Sequence, residues 1–225
     1  TSDGEKNKII NAIPDWVYQE EFGLLNSFAW SPDNLILSFI RWNETDVPLY
    51  SMQLFENTSN TGYCLYPKEF EYKYPTAGLA NAVTSVLSYD IETRVLKTMQ
   101  LPITERDYIP AISYTDDPAK LMVTTLNRTQ NRIQVYAANP RSTLSKLIYQ
   151  EESDSWIDFK LMSKMKFYDD FIVMPSEKDG YAHLYKLSAS GAPIKQLTSG
   201  EWNVTEYYGY DQVHKTHYIQ TTKKD

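Results

Sequence analysis

A repeated pattern of short strands and turns constrains the fold of this chain most strongly. Segments 27–42, 110–127 and 164–187 each read as a strand, a turn containing Asp, and a second strand, and a shorter copy begins near residue 207. Each complete unit continues with a polar turn and two more strands. Four-stranded units that recur at roughly 40 to 55 residues are typical of β-propeller blades. The pattern predicts an all-β fold, a partial β-propeller of about three and a half four-stranded blades.

The same repeat predicts how the chain is divided. One connection, between the first and second units, is much longer than a tight turn, and its Tyr and Pro content indicates an ordered arm. The predicted divisions are a lead-in (1–23), a first blade (24–55 and 84–100) with an inserted arm (56–83), a second blade (108–152), a third blade (156–200) and the start of a fourth (204–225). Because a propeller closes with about four to eight blades, we expect this chain to be part of a longer protein.

Composition excludes several classes of protein and site. The formal net charge is -7 and the 22 Lys and Arg are scattered, so nucleic acid is not an expected partner. The single cysteine, Cys64, excludes an internal disulfide framework and a cysteine metal cluster. The three histidines, His183, His214 and His217, fall on predicted strands and are expected to be structural. No metal or cofactor is therefore expected.

The segment DWVYQEEFG (15–23) places two adjacent carboxylates, Glu20 and Glu21, after a run of large apolar side chains. Asp15 is a predicted N-cap for a short N-terminal helix over 16–21. The glutamates would stand near its C-terminal end, where the negative end of the macrodipole costs each carboxylate roughly 0.3 to 1 kcal/mol. Repulsion between like charges on a partly buried segment is relieved by a cation or by proton uptake. The pattern indicates a site for a positively charged partner, and the alternative is a solvated acidic pair.

Four segments in the same order resemble the dipeptidyl peptidase IV family of S9 serine peptidases. IPDWVYQEEFG (13–23) is similar to the family sequence Asp-Trp-Val-Tyr-x-Glu-Glu, and NETDVP (43–48), YPTAG (74–78) and EKDGYAHLYKL (177–187) are similar to further family segments. The resemblance covers nearly the whole chain and is greatest for the bacterial branch. It implies that the chain is the middle of an eight-bladed propeller and that the family's α/β-hydrolase domain is absent from it.

The resemblance also implies a function for the acidic pair. In the family, the two glutamates bind the free α-ammonium group of the substrate, and this role falls on Glu20 and Glu21. The full-length protein is then expected to be a serine-type dipeptidyl peptidase that releases X-Pro or X-Ala dipeptides from peptides with a free N-terminus. Gln19 departs from the commonest family residue, Glu, but that position is not an amine contact in relatives. The chain contains no Gly-x-Ser-x-Gly nucleophile motif, so no catalytic residue is expected in it and the chain alone should be inactive.

Further expectations concern a pocket, an assembly and a location. Phe159, in SWIDFK (155–160), matches a phenylalanine that lines the pocket for the second substrate residue, although the family's Arg beside it is absent here. The alternative is that Trp156 and Phe159 lie on a core strand. The arm (56–83) is expected to make homodimer contacts in the full-length protein, or to be a plain surface loop. The family resemblance places the protein in the periplasm, in the cell envelope or outside the cell.

A second function remains open at the level of sequence. The chain could belong to a non-catalytic propeller that binds a protein or peptide, either without a hydrolase domain or with a decayed catalytic triad. The sequence that follows this chain would distinguish the two functions, because a nucleophile motif followed by Asp and His favours the enzyme.

Overall fold

The structure is a computed structural model that describes residues 1–55 and 66–223. Cys64 and residues 56–65 of the predicted arm lie outside the described residues. In chain order the elements are β1 (Ile9–Asn11), α1 (Trp16–Phe22), β2 (Phe28–Trp30), β3 (Ile36–Asn43), β4 (Leu49–Leu54), β5 (Lys68–Lys73), β6 (Val83–Asp90), β7 (Val95–Thr98), β8 (Tyr108–Tyr114), β9 (Leu121–Leu126), β10 (Arg132–Ala138), β11 (Ser145–Glu152), α2 (Phe159–Met162), β12 (Lys166–Phe167), β13 (Phe171–Ser176), β14 (His183–Ser188), β15 (Pro193–Gln196), β16 (Val204–Asp211) and β17 (Thr216–Thr221). Neither helix of this part is long and apolar enough to cross a membrane.

Three antiparallel sheets of four or five strands follow one another along the described chain. The first has the order β1-β3-β6-β7, with β2 also paired to β3, the second has the order β11-β10-β9-β8, and the third has the order β12-β13-β14-β15. The pair β16-β17 follows, and β4 and β5 form a separate hairpin. The predicted all-β, partial propeller with a short N-terminal helical segment is confirmed.

Carboxylates at the predicted turns fix the hairpins of the first two sheets. Asp33 Oδ1 accepts hydrogen bonds from the Ser31 hydroxyl and from the Leu35 N–H, the latter at 3.1 Å. In the second sheet Asp117 Oδ1 accepts from the Ala119 N–H at 2.9 Å. An Asp side chain that accepts from the backbone two residues further on stabilises a turn. The Asp-containing turns therefore connect β2 to β3 and β8 to β9 as the sequence predicts.

One hydrophobic core joins the three sheets. Every residue of the central strands β9 and β13 is buried, and α1 adds Val17, Tyr18 and Phe22 to the same core. The second and third sheets approach closely where Gly191, in the turn before β15, meets Ile148 on β11. A Cβ atom at position 191 would lie 1.5 Å from the Ile148 carbonyl oxygen. This contact is possible only because position 191 has no side chain.

Two strands differ from the predicted division of the chain. β1 lies in the predicted lead-in, yet it pairs with β3 in the first sheet, with Ile9 opposite Asn43. β4 lies within the range predicted for the first blade, but it pairs along its whole length with β5, with Tyr50 opposite Tyr72. The reason is that an alternating pattern indicates a strand but does not specify its partner. We call residues 47–54 and 66–74, which contain β4 and β5, the arm hairpin.

Candidate functional site

The segment that carries the two glutamates is an excursion: the chain leaves the first sheet after β1 and returns to it at β2. β1 and β2 pair with opposite ends of β3 on the same side, and residues 12–27 leave the sheet between them. We call Ala12, Ser27 and their partner Ile40 on β3 the neck of the excursion. There the Ala12 N–H donates to the Ile40 carbonyl (2.9 Å), the Ser27 N–H donates to the Ala12 carbonyl (3.0 Å), and the Ile40 N–H donates to the Ser27 carbonyl (2.9 Å). The excursion therefore begins and ends at one fixed point of β3.

The helix α1 within this excursion has a defined cap at each end. Asp15 Oδ1 accepts a hydrogen bond from the Tyr18 N–H at 2.9 Å, which confirms the predicted N-cap. Gly23 ends the helix in the left-handed conformation, with φ 65, and its N–H donates to the Tyr18 carbonyl. Glycine adopts this conformation without the steric cost of a Cβ atom. The helix extends one residue beyond the predicted range, to Phe22.

Tyr18 and Phe22 anchor the helix to three parts of the structure. They are four residues apart and share one helix face, and their rings are 5.2 Å apart. The Tyr18 ring lies 5.3 Å from that of Trp42 on β3 and 5.9 Å from that of Tyr108 on β8. The Phe22 ring lies 5.2 Å from that of Phe159 on α2. Edge-to-face pairs of this kind contribute about 0.5–1.5 kcal/mol each beyond their buried area, so α1 is held by the first sheet, the second sheet and α2.

The Tyr18 hydroxyl also completes the hydrogen bonding of an irregular strand. The pairing of β8 with β9 shifts between Tyr108 and Ala111, and Pro110 inside the shift has no N–H to donate. The Ile109 N–H donates instead to the Tyr18 hydroxyl at 2.9 Å. Both residues are fully buried, where an unpaired N–H is costly. The helix and the second sheet therefore depend on each other locally.

Glu20 and Glu21 are exposed at the C-terminal half of this anchored helix. The last helical turn contains no basic residue. No residue of the described chain forms a salt bridge or a side-chain hydrogen bond with either carboxylate. The helix is partly buried, as predicted, but the two carboxylates face solvent. The arrangement leaves two adjacent acceptors, near the negative end of a helix dipole, with no cation supplied by the described chain.

Phe159 packs against Phe22 of α1 and does not lie on a strand. It is the first residue of α2, whose N-cap Asp158 accepts from the Lys160 N–H at 2.9 Å. Phe159 is 5% exposed, whereas Trp156 is 61% exposed and donates from its indole to Gln130 Oε1 at 2.7 Å. The alternative of a core strand through both residues is wrong, because the Asp158 cap starts a helical turn there. Whether Phe159 lines a substrate pocket stays a prediction, and its ring contacts Phe22 next to the glutamate pair.

An acidic cavity of about 530 Å³ lies beside α2. Its lining includes Trp156, Asp158 and Leu161, together with carboxylates from the end of β11 and from the turn between β13 and β14. Glu151, one of these carboxylates, accepts from the Tyr149 hydroxyl at 2.6 Å and from the Ser176 hydroxyl at 2.8 Å. The Glu151 side chain is therefore committed to hydrogen bonds within the fold.

Two buried carboxyl groups near the start of the helix were not identified from the sequence. Asp15 is 5% exposed and Glu44, in the turn after β3, is 6% exposed. Burial raises the pKa of Asp15 to about 6. Burial, and then repulsion from Asp15, raises the pKa of Glu44 to about 7, while Lys73 opposes that rise. The Lys73 ammonium itself donates to the Val47 carbonyl at 2.6 Å. The segment NETD (43–46) reads as an exposed turn, so no pattern in the sequence indicates that Glu44 is buried.

His183 and His217 lie on strands β14 and β17, as predicted. The prediction is wrong for His214, which lies in the turn between β16 and β17, because Asp211 Oδ1 accepts hydrogen bonds from the N–H groups of Val213 and His214 there. His183 is 1% exposed, and its ring nitrogens lie 3.0 Å from the Thr198 hydroxyl and 2.9 Å from the Gly200 carbonyl. His214 pairs with Asp211, and His217 lies 3.0 Å from the Tyr207 hydroxyl. Within the described residues, no group of three or more His, Cys, Asp or Glu side chains could hold a metal ion.

Comparison with known proteins assigns the fold and the glutamate segment to one family. The crystal structure of Porphyromonas gingivalis dipeptidyl peptidase 4 matches 99% of this chain and 31% of its own chain, with a TM-score of 0.92 and 39% sequence identity. A solved Bacteroides ovatus structure shares the fold, with a TM-score of 0.81 at 22% identity. The dipeptidyl peptidase 4 of Trichophyton equinum is 30% identical over 226 residues, which are 96% of this chain and 29% of that protein.

This chain thus spans about 30% of the length of the curated relatives that it matches. The family model for the dipeptidyl peptidase IV N-terminal region matches residues 1–225, the whole of the sequence. Its match includes the capped helix with the two exposed glutamates, the first three sheets and the arm hairpin. The chain therefore belongs to the family of dipeptidyl peptidase IV N-terminal regions.

Proposed function

We propose that this chain is the propeller portion of a serine-type dipeptidyl peptidase, and that Glu20 and Glu21 bind the α-ammonium group of its peptide substrates. The observation that carries the proposal is the pair of adjacent, exposed and unpaired carboxylates on a helix that is fixed at its neck, its caps and its buried face. Such a pair can bind a cation, and a peptide N-terminus provides one. The names of the relatives, dipeptidyl peptidase 4, support a peptidase.

The chemistry of the ammonium group suits two carboxylates. It has three N–H donors, and ionised carboxylates are acceptors only. Hydrogen bonds between ionised partners are the strong class, each contributing about 1.5–3 kcal/mol. A peptide with a blocked N-terminus lacks this charge. A peptide with additional residues on the N-terminal side of the dipeptide would run into α1. The pair would therefore require a free N-terminus and fix the length of the released product at two residues.

The catalytic part of the function lies outside this chain in the proposal. A hydrolase domain would supply the serine nucleophile, its histidine and its aspartate, and the propeller would hold the substrate so that its second residue, Pro or Ala, precedes the cleaved bond. Orientation of this kind lowers a reaction barrier by several kcal/mol. Phe159 would border the pocket for that second residue, the arm (56–83) would contribute to a homodimer, and the protein would act in the periplasm or cell envelope or outside the cell.

The test uses isosteric variants of the full-length protein. Glu20→Gln and Glu21→Gln each keep the shape of the side chain and remove its charge, so kcat/KM on an H-Gly-Pro substrate should fall about 10- to 100-fold, the equivalent of one charge-assisted hydrogen bond. The matched control is Glu92→Gln, because Glu92 is also an exposed glutamate but lies in the turn between β6 and β7. Its kinetics should equal those of the wild type.

Two results would contradict the proposal in different ways. If both single variants stay within twofold of the wild type, the glutamates do not bind the ammonium group. If the full-length protein binds peptides with a free N-terminus more tightly than acetylated ones but releases no dipeptide, the function is that of a non-catalytic peptide-binding propeller.

A further inference from the structure

The base of the arm hairpin contacts the first turn of the helix that carries the glutamates. Tyr74, directly after β5, places its ring 4.4 Å from that of Trp16, with an interplanar angle of 70°. Trp16 is the first residue of α1. The Tyr74 N–H donates to the Pro48 carbonyl, before β4, at 3.0 Å. Both strands of the hairpin therefore hold Tyr74 against the helix.

This contact lies on the opposite side of the helix from the core. Successive residues are about 100° apart around a helix axis, so Trp16 is about 160° away from Tyr18. Tyr18 is 1% exposed and Trp16 is 36% exposed. The aromatic contacts described for Trp16 consist of Tyr74 alone. Glu20 follows Trp16 by four residues and stands about 40° from it around the axis, on the same face.

The Tyr74 ring is itself held by the hairpin. It lies 5.5 Å from the ring of Tyr50 and 5.9 Å from that of Tyr72, which face each other across β4 and β5. The neighbouring Lys73 donates to the carbonyls of Val47 (2.6 Å) and Thr45 (3.3 Å). Tyr74 thus presents a fixed ring to the helix, and not a side chain free to move with it.

We propose that the arm hairpin positions Glu20, with Tyr74 acting through Trp16 to set the rotation of α1 about its axis. The buried anchors Val17, Tyr18 and Phe22 hold one side of the helix against the core and resist its lifting. A contact on the opposite face, at Trp16, limits the remaining rotation of α1 about its axis. Because Glu20 shares the face of Trp16, a roll moves the Glu20 carboxylate more than it moves the buried side chains. Tyr74 is a positioning residue, and this inference rests on the proposed amine role of the glutamates.

The experiment compares variants of the full-length protein on an H-Gly-Pro substrate. Tyr74→Ala should raise KM about five- to tenfold, in the upper part of the range for one edge-to-face aromatic pair, and leave kcat within twofold. Tyr74→Phe retains the ring contact and should restore the wild-type KM. The matched control is Phe70→Ala, which removes a 49% exposed aromatic ring from the same hairpin but leaves Tyr74 and Trp16 in place. Its KM should be unchanged.

A double variant tests whether Tyr74 acts through the glutamate. In a Glu20→Gln background, Tyr74→Ala should change KM less than twofold, since the charge of the acceptor that it positions is gone. Three results would each overturn the positioning role. The KM effects of Tyr74→Ala and Glu20→Gln could multiply in the double variant, Phe70→Ala could raise KM as much as Tyr74→Ala does, or Tyr74→Ala could lower kcat with no change in KM. A wild-type KM for Tyr74→Ala beside a raised KM for Glu20→Gln overturns it and leaves the amine role intact. A wild-type KM for both overturns the amine role as well.

Discussion

Replacing Tyr18 by Phe tests the link between the glutamate helix and the second sheet. The substitution keeps the ring contacts with Trp42, Tyr108 and Phe22 and removes only the hydroxyl that accepts from the Ile109 N–H at 2.9 Å. That N–H then has no acceptor, because the shifted pairing of β8 with β9 gives it none.

The magnitude follows from the burial of both partners. Tyr18 is 1% exposed and Ile109 is 0% exposed. A buried donor left without its partner costs about 1–3 kcal/mol, more than the net contribution of an ordinary hydrogen bond. For a chain of this size, a loss of 1 kcal/mol lowers Tm by roughly 2–4 °C. We expect Tyr18→Phe to lower the free energy of unfolding by about 2 kcal/mol and Tm by about 4–8 °C.

Urea denaturation followed by circular dichroism gives the free energy of unfolding and its urea dependence, the m value. The m value should stay constant, since the same surface is exposed on unfolding. The matched control is Tyr208→Phe, because Tyr208 is 63% exposed and its hydroxyl donates to Gln220 Oε1 at 3.0 Å. The control should change stability by less than about 0.5 kcal/mol. Equal values for the two variants would show that the Ile109 N–H finds another acceptor, and the proposed dependence of sheet on helix would be refuted.

Two further predictions concern the fold. Gly191→Ala would bring a Cβ atom to 1.5 Å from the Ile148 carbonyl oxygen, whereas Gly78→Ala, at nearly the same φ (89 against 90), would place it in open space. In urea melts, Gly191→Ala should therefore lower the free energy of unfolding by at least about 2 kcal/mol more than Gly78→Ala. Equal losses would contradict the close approach. Burial raises the pKa of Asp15 to about 6 and of Glu44 to about 7, so the folded state retains protons that the unfolded state has released, and the stability that they contribute below about pH 4 is lost as pH rises to about 7. Glu44→Gln should reduce this fall by up to about 3 kcal/mol between pH 4.5 and 7.5, and an unaltered pH dependence would rule out Glu44 as a cause.

Local patterns in the sequence were sufficient for much of the fold. The Asp-containing turns use the carboxylates that the sequence singles out, as Asp33 and Asp117 show. The helix around the glutamates is also readable, because its N-cap, Asp15, and its C-terminal Gly23 are both residues with strong end preferences. These features could be predicted because each is decided by residues within a few positions of one another.

The features that were missed depend on residues far apart in the sequence. Tyr18 and Ile109, joined by one hydrogen bond, are 91 positions apart. Trp16 meets Tyr74 only because two excursions from the first sheet converge. Glu44 is likewise buried, and the charged groups that act on it, Asp15 and Lys73, come from the start of the helix and from the arm hairpin. Strand patterns do not specify such contacts, and for the same reason they predict β4 in the first blade and not in the hairpin.

The local energetics of α1 disfavour a helix, and this explains why so many contacts elsewhere in the fold hold it in place. An isolated segment of seven residues does not form a stable helix in water, and two carboxylates near its C-terminal end each oppose the macrodipole by roughly 0.3–1 kcal/mol. The neck at Ala12 and Ser27, the caps and the buried rings of Tyr18 and Phe22 supply the stability from outside the acidic pair. Because none of these contacts involves the two carboxylates, the helix forms without neutralising them. Their charge therefore stays available to a cation that arrives from solvent, which is the property that a site for a peptide ammonium group requires.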